Sequence, residues 1–364
     1  MSLIPAEILQ RPARMLYMTP LALGDFLYQS GFLREVRRAY PRLTIDIWFD
    51  DLRKRSKSWH QGRNRTLGQW LDEVEFIDRV YPIPADGETR AAATADARAA
   101  GYDLVLYLCK SRIARYEKYA RRICPQGFVA GVAASKERLA RLFNGARPDL
   151  LLPMEEFDLS GGAHVSEFYG HFFGKLFDID AARVTPTLEV PQVWRERIAA
   201  QFGPLRRSGE KLILINSLST NRSHDLPLED VFALTRQMLD RDPALRFILC
   251  APPHALADFE DACSRAGDDL VDRLIPFTAR EHFFELPALV EHCDAIMSVD
   301  TSVVHFASAL ERPLVALMRS NNRQWRPLEG ETTRVVYAEG KSWVKDIPPE
   351  EILGACARQG FFRC

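Results

Sequence analysis

Residues 295–318 read Ala-Ile-Met-Ser-Val-Asp-Thr-Ser-Val-Val-His-Phe-Ala-Ser-Ala-Leu-Glu-Arg-Pro-Leu-Val-Ala-Leu-Met. An apolar run ends at Asp300-Thr301-Ser302. A short helical pattern follows, with Val303, Phe306, Ala307 and Leu310 on one face. Arg312-Pro313 stops it, and residues 314–318 form a second apolar run. The stretch therefore predicts strand, polar turn, short helix, strand. Such a turn gathers hydroxyls and unpaired backbone N–H groups at a helix start, where phosphate oxygens are readily held. Asp300 is the expected N-cap, so capping alone is the competing explanation of its presence.

Outward from this stretch the alternation repeats. In the first half, residues 15–18, 44–49, 102–108 and 128–132 read as strands. Helical patterns fall near 26–39, 90–100 and 165–177, and residues 74–80 are ambiguous. Residues 178–193 lose periodicity and carry Pro186 and Pro191. The second half restarts with strands at 211–216, 247–250 and 274–275 and helices at 228–240, 255–266 and 283–292, and a last helix spans 348–359. Two βα arrays of similar size predict an α/β chain of two Rossmann-like domains whose parallel sheets face across a cleft. The expected boundaries are 1–180, a linker at 181–193, and 194–347, with a C-terminal helix in 348–364 packing back on the first domain.

Composition narrows the classes of function. Lys and Arg number 48 against 49 Asp and Glu, giving a net charge of −1. No global field draws the chain to nucleic acid, which is not an expected partner. No stretch reaches the ~18 apolar residues of a spanning helix, and residues 1–14 lack the apolar core of a secretion signal. The seven cysteines show no paired metal-ligand spacing, so reduced thiols and no metal site are expected. A Gly-rich dinucleotide fingerprint and a Walker loop are both absent, against hydride transfer and ATP hydrolysis.

In parallel sheets, ligands collect beyond the carboxyl ends of the strands. Thr19-Pro20-Leu21-Ala22-Leu23-Gly24-Asp25 follows the first strand. Gly24 permits close backbone approach, and Asp25 is either a helix cap or a general base for an acceptor hydroxyl. Residues 216–225, Asn-Ser-Leu-Ser-Thr-Asn-Arg-Ser-His-Asp, hold Ser219, Thr220, Arg222 and His224. Such a loop suits a diphosphate, with hydroxyl donors and a cation to offset leaving-group charge. Residues 251–254 and 276–279, the latter with Thr278, could wall a base or ribose. His305 is equally a packed histidine or a ligand contact. Two basic stretches, 53–65 with Arg53, Arg55 and Arg63, and 110–122 with Lys110 and Arg112, are either solvated faces or a surface for an anionic acceptor, with a membrane as one such setting.

Taken in order, these motifs resemble glycosyltransferase family 9, the bacterial ADP-heptose lipopolysaccharide heptosyltransferases. The resemblance rests on four pieces. They are Leu23-Gly24-Asp25 with Arg37-Arg38-Ala39-Tyr40-Pro41, the strand and polar loop at 212–227, Ser298 to His305 with Arg312-Pro313, and Trp325-Arg326-Pro327-Leu328. It implies a GT-B fold and an inverting, metal-independent transfer without a cofactor, the nucleotide-sugar donor being a substrate. ADP-heptose is the expected donor, and an anionic glycan or glycolipid of the lipopolysaccharide core or cell envelope the expected acceptor. Asp25 matches the family's base. Ser219 and Thr220 match positions that hold donor phosphates, Asp300, Thr301, Ser302 and His305 match its nucleotide turn, and Thr278 lies near the base. Gly24, Arg53, Arg55, Arg63 and Arg112 are the expected acceptor contacts. Cytoplasmic residence with peripheral contact at the inner membrane would follow. Two departures stand out: Ser302 occupies a position that is usually Gly, and the phosphate-binding lysine is replaced by Arg222 or His224. A non-catalytic sugar-nucleotide binder, or an epimerase or hydrolase of the same fold, stays open as an alternative.

Overall fold

The computed structural model describes residues 1–364 except 54–57, 82, 136–144, 146, 158–161, 208 and 364; it also omits the side chains of 58–61, 63, 206 and 207. Two compact units divide it, residues 1–186 and 187–364. The division falls inside the stretch without periodicity. Residues 181–186 stay with the first unit, and helix Gln192–Arg207 opens the second.

The first unit carries strands β1 (Ala13–Met18), β2 (Leu43–Trp48), β3 (Arg79–Tyr81), β4 (Leu104–Tyr107), β5 (Phe128–Ala133) and β6 (Leu150–Pro153), in the order β3-β2-β1-β4-β5-β6. Every pairing is parallel. Parallel strands need crossover connections that cover both faces, so central strands are apolar throughout instead of alternating. β4 is accordingly buried at all four positions. Helices Leu23–Ala39, Gly87–Ala99, Ile113–Ile123 and Val165–Phe177 are among its cover.

The second unit repeats the plan with β7 (Lys211–Asn216), β8 (Leu245–Cys250), β9 (Leu274–Phe277), β10 (Ala295–Val299), β11 (Leu314–Arg319) and β12 (Thr333–Ala338), ordered β12-β11-β10-β7-β8-β9. Read from β9, this is the same order as in the first sheet. Both orders reverse between their first and fourth strands, which are neighbours, as in doubly wound nucleotide-binding folds.

The last helix, Pro349–Arg358, packs within the second unit. Its buried Ile352, Leu353, Ala355 and Cys356, with Phe361, belong to the second unit's core beside β11, β12 and helix Leu228–Leu239. The apolar stripe has thus found its partner within the second unit. Helices Ser58–Leu71 and Ile113–Ile123 were hidden in sequence by basic residues, β12 by its mixed polarity, and β6 by being only three leucines and a proline long. Among the described residues no helix is long and apolar enough to cross a membrane.

Gly131 in β5 is required by packing. It lies opposite Tyr107 of β4, and a Cβ there would sit 2.2 Å from the Tyr107 ring. Gly131→Ala should therefore destabilise the first unit by about 1–3 kcal/mol through overpacking. A fall in the urea midpoint of the first unit's unfolding transition checks this; an unchanged midpoint contradicts the packing.

Candidate functional site

In the first unit the loops leaving β1 and β4, neighbours at the order reversal, form one side of a cavity of about 220 Å³. Asp25, Arg53, Lys110, Arg112, Phe168 and Tyr169 contribute to its wall. Helix Leu23–Ala39 starts earlier than the sequence suggested, so Gly24 and Asp25 lie in its first turn. The two oxygens of Asp25 have different partners. One oxygen, Oδ2, accepts from the Ala22 backbone N–H at 3.2 Å, an N-terminal helix contact. The other, Oδ1, accepts from the Tyr169 hydroxyl at 3.0 Å at the cavity.

Burial, and then the charge of Asp25, push the Tyr169 hydroxyl well above its ordinary range. It therefore stays protonated and donates. Lys110 is half-buried, its Nζ 4.8 Å from the centre of the Phe168 ring and 5.6 Å from that of Tyr169. Desolvation lowers its pKa, and the nearby Asp25 charge acts the other way. A carboxylate and an ammonium thus influence each other inside one cavity, a setting in which proton affinities are adjusted for chemistry.

The wall is held firmly. Asp50, which is buried, accepts from Arg90 Nε at 2.5 Å and Nη2 at 3.2 Å. Tyr116 donates to the Asp50 carbonyl at 2.8 Å, and Arg115 to that of Leu52 at 2.9 Å. Leu52 and Arg112 both adopt left-handed backbone, with φ of 54° and 58°. For residues with a Cβ this is strained, roughly 1–3 kcal/mol each, and persists where surroundings enforce it. Of the expected acceptor contacts, Arg53 and Arg112 line the cavity and Gly24 adjoins it in the helix's first turn. Arg55 and the side chain of Arg63 lie outside the described residues. Lys110 was read from sequence only as part of a basic stretch, and Tyr169 was not singled out. Lys110 carried a signal, as a charged residue just beyond a buried strand; Tyr169 carried none, being 144 positions from its partner.

In the second unit the corresponding loops follow β7 and β10. Asn216 at the end of β7 donates from Nδ2 to Ser298 Oγ and to Thr301 Oγ1, both at 3.0 Å. Thr301, not Asp300, caps helix Ser302–Ala309, its Oγ1 accepting from the Val303 N–H at 3.2 Å. This corrects the expected cap. With the cap supplied by its neighbour, Asp300 turns elsewhere: its Oδ2 accepts from Asn322 Nδ2 at 3.1 Å and lies 3.2 Å from His224 Nδ1.

The loop after β7 is shaped by its own side chains. Asp225 Oδ1 accepts from the Ser219 N–H at 2.7 Å, and Asn221 Oδ1 from the Ser223 N–H at 3.2 Å. Arg319, from β11, donates to Ser223 Oγ at 3.2 Å. Thr220 and Arg222 are exposed, and His224 is buried. Ser302 opens the helix as its first residue. His305 is buried one turn further along, its ring centre 6.5 Å from that of Trp325. The structure thus brings together His224 and Asp300. Thr278 belongs to another place, a cavity of about 300 Å³ beyond β9, where its buried Oγ1 has no hydrogen-bond partner. Asn322 and Arg319, missed from sequence, meet the loop only through strand register and had no local signal.

Burial keeps three of the cysteines from being ready nucleophiles. The thiols of Cys250 and Cys356 are pushed up to about 12 and that of Cys263 to about 11, far from thiolate at neutral pH. Among the described residues no group of three or more His, Cys, Asp or Glu could hold a metal ion.

The Asp25–Lys110 pairing makes a signed prediction. Burial lowers the proton affinity of Lys110, and Asp25 partly restores it. Asp25→Asn removes the restoring charge, so more of the amine is neutral at about pH 8. Competitive labelling with an amine-reactive reagent should show faster modification of Lys110 in the variant. An unchanged rate would contradict their electrostatic coupling.

Comparison with known proteins agrees with this architecture. The structure superposes on a glycosyltransferase family 9 protein from Veillonella parvula with a TM-score of 0.76 and 16% identity, covering 96% of this chain and 97% of that one. For E. coli ADP-heptose lipopolysaccharide heptosyltransferase II the TM-score is 0.69 at 17% identity, over 95% and 98% of the two chains. For E. coli heptosyltransferase WaaC, solved with ADP, it is 0.67 at 16%, over 95% and 100%. At such identities the likeness establishes the fold, GT-B. No curated protein sequence matches the chain. The family model of glycosyltransferase family 9 (heptosyltransferase) matches residues 150–348, more than half of the chain, and the protein belongs to that family and is a glycosyltransferase.

Proposed function

We propose that the protein moves a sugar, heptose from ADP-heptose being the favoured donor, onto an anionic glycan of the cell envelope, with inversion at the transferred carbon. The observation that carries this reading is the placement of Asp25 in a cavity with Arg53, Lys110 and Arg112. Its carboxylate is oriented by Ala22 and Tyr169, and it accepts the proton of an acceptor hydroxyl as that oxygen attacks the anomeric carbon. The three cations suit an acceptor that carries carboxylate or phosphate groups.

The donor belongs, in this reading, to the second unit. A nucleoside diphosphate departs with negative charge, which hydroxyls, backbone N–H groups and a cation stabilise. Ser219, Thr220, Arg222 and His224 after β7, and Thr301 and Ser302 after β10, would supply those groups at the strand ends where the order reverses, with Asp300 holding His224 and Asn322 in place. WaaC, of the same fold, was solved with ADP and with ADP-2-deoxy-2-fluoro heptose, which supports an adenosine diphosphate donor here. His305 would act from inside the helix, and the unpartnered Thr278 Oγ1 would meet the base or ribose.

Asp25→Asn should reduce transfer by roughly 10²–10⁴-fold, the usual contribution of a general base, while leaving donor binding within about twofold. Asp300→Ala should weaken binding of the donor about tenfold or more, equivalent to about 1.4 kcal/mol. Radiolabelled sugar transfer and calorimetric donor binding separate the two effects. Undiminished turnover in Asp25→Asn would refute the base assignment.

A further inference from the structure

The chain leaving β2 brings Asp51 and Arg53 to the wall of the first unit's cavity. Residues 50–53 make that approach, and Leu52 among them is buried with φ of 54°. A left-handed leucine relaxes unless its surroundings hold it. Much of the hold comes from Arg90, which is not among the residues lining the cavity. Arg90 belongs to helix Gly87–Ala99. Its Nε and Nη2 donate to the two oxygens of Asp50, and Nη2 also donates to the Arg53 carbonyl at 3.2 Å. Asp50 Oδ1 in turn accepts from the Leu52 N–H at 2.9 Å. One planar group thus fixes both ends of the approach, and its carboxylate partner fixes the strained residue between them.

We propose that Arg90 is a positioning residue for acceptor binding, setting the place of Arg53 in the cavity through Asp50 and the backbone between them. This rests on the acceptor-site reading above. Arg90 touches no reacting group in it, so its effect falls on acceptor affinity and not on the donor or on Asp25, which stands on a different helix.

The path from Arg90 to the cavity is short and largely dry. The Asp50 and Arg90 side chains are only 2% and 14% exposed, and a forked pair of charge-assisted bonds resists rearrangement there. From Asp50 the backbone runs directly to Asp51 and Arg53. Asp51 Oδ1 accepts from the Arg53 N–H at 3.1 Å, and its Oδ2 pairs with the Arg53 guanidinium. The Arg53 side chain is therefore placed by the same backbone that Arg90 holds. Helix Ile113–Ile123 steadies this backbone from Tyr116 and Arg115, but neither of those side chains reaches Asp50's carboxylate or the Arg53 carbonyl. Lysine in place of Arg90 keeps the charge but is a single point, unable to span both Asp50 oxygens and the Arg53 carbonyl at once.

The test is transfer of radiolabelled heptose from ADP-heptose to heptose-deficient lipopolysaccharide by the natural protein, Arg90→Lys, Arg53→Gln and their double variant. Arg90→Lys should raise the acceptor KM about tenfold, with kcat and the donor KM within about twofold. In the Arg53→Gln background the same change should add less than about twofold, because the residue it acts through is already gone. Amide exchange of residues 50–53 should quicken in Arg90→Lys while residues 19–25 keep their rates. Deleting one partner would strand a buried charge. The neutral pair Asp50→Asn with Arg90→Gln avoids this, and it should show the same KM increase if Arg90→Lys does not fold. An unchanged acceptor KM overturns the positioning role. So does an equal increase in both backgrounds, which would mean that Arg90 acts on the fold at large. Absence of transfer by the natural protein overturns the acceptor-site reading itself, and the role of Arg90 with it.

Discussion

Parallel strands cannot be joined by hairpins, and each connection must cross a face of the sheet to begin the next strand at the same end. Both sheets here obey this constraint, and both reverse their strand order between the first and fourth strands. At such a reversal the two outgoing loops run to opposite faces and leave a gap at the carboxyl edge. In the first unit that gap is walled by the loops after β1 and β4, with Asp25 and Lys110. In the second, the loops after β7 and β10 carry His224 and Asp300. Both polar clusters lie where the topology leaves loop backbone at the carboxyl edge of a sheet.

Hydrogen bonding then decides which polar side chains are available. Thr301 takes over capping, which releases the Asp300 carboxylate to His224 and Asn322. Asn216 ties the end of β7 to Ser298 and Thr301 through both of its amide hydrogens, so the two strand ends are locked together beneath the turn. In the first unit Ala22 and Tyr169 hold the two oxygens of Asp25 in separate directions. A carboxylate held from both sides in this way loses little orientational freedom on meeting a further partner.

Most of the sheet framework could be read from apolar runs. β7 coincides with its expected span at Lys211–Asn216, and the opening stretch gave strand, turn, helix and strand in order. What escaped was whatever depended on distant partners. The helix Ile113–Ile123 is so rich in Lys and Arg that it read as a charged surface, although Ile113, Tyr116, Ala120 and Ile123 are its buried face. The capping role passed from Asp300 to Thr301 because two adjacent residues could each fill it, and local pattern does not rank them. The C-terminal helix showed an apolar stripe but not the surface receiving it, which proved to be the second unit's core. Lys110 and Tyr169 reach Asp25 only after β4 and helix Val165–Phe177 have been placed.

The central claim is that the donor occupies the strand-order reversal of the second unit. Hydrogen–deuterium exchange with and without a saturating ADP-sugar tests it most directly, because it reports on every backbone amide at once. The account predicts protection concentrated in residues 217–226 and 300–306, with residues 19–25 little changed. Protection confined to the first unit, or to the amino-terminal ends of the strands, would contradict it.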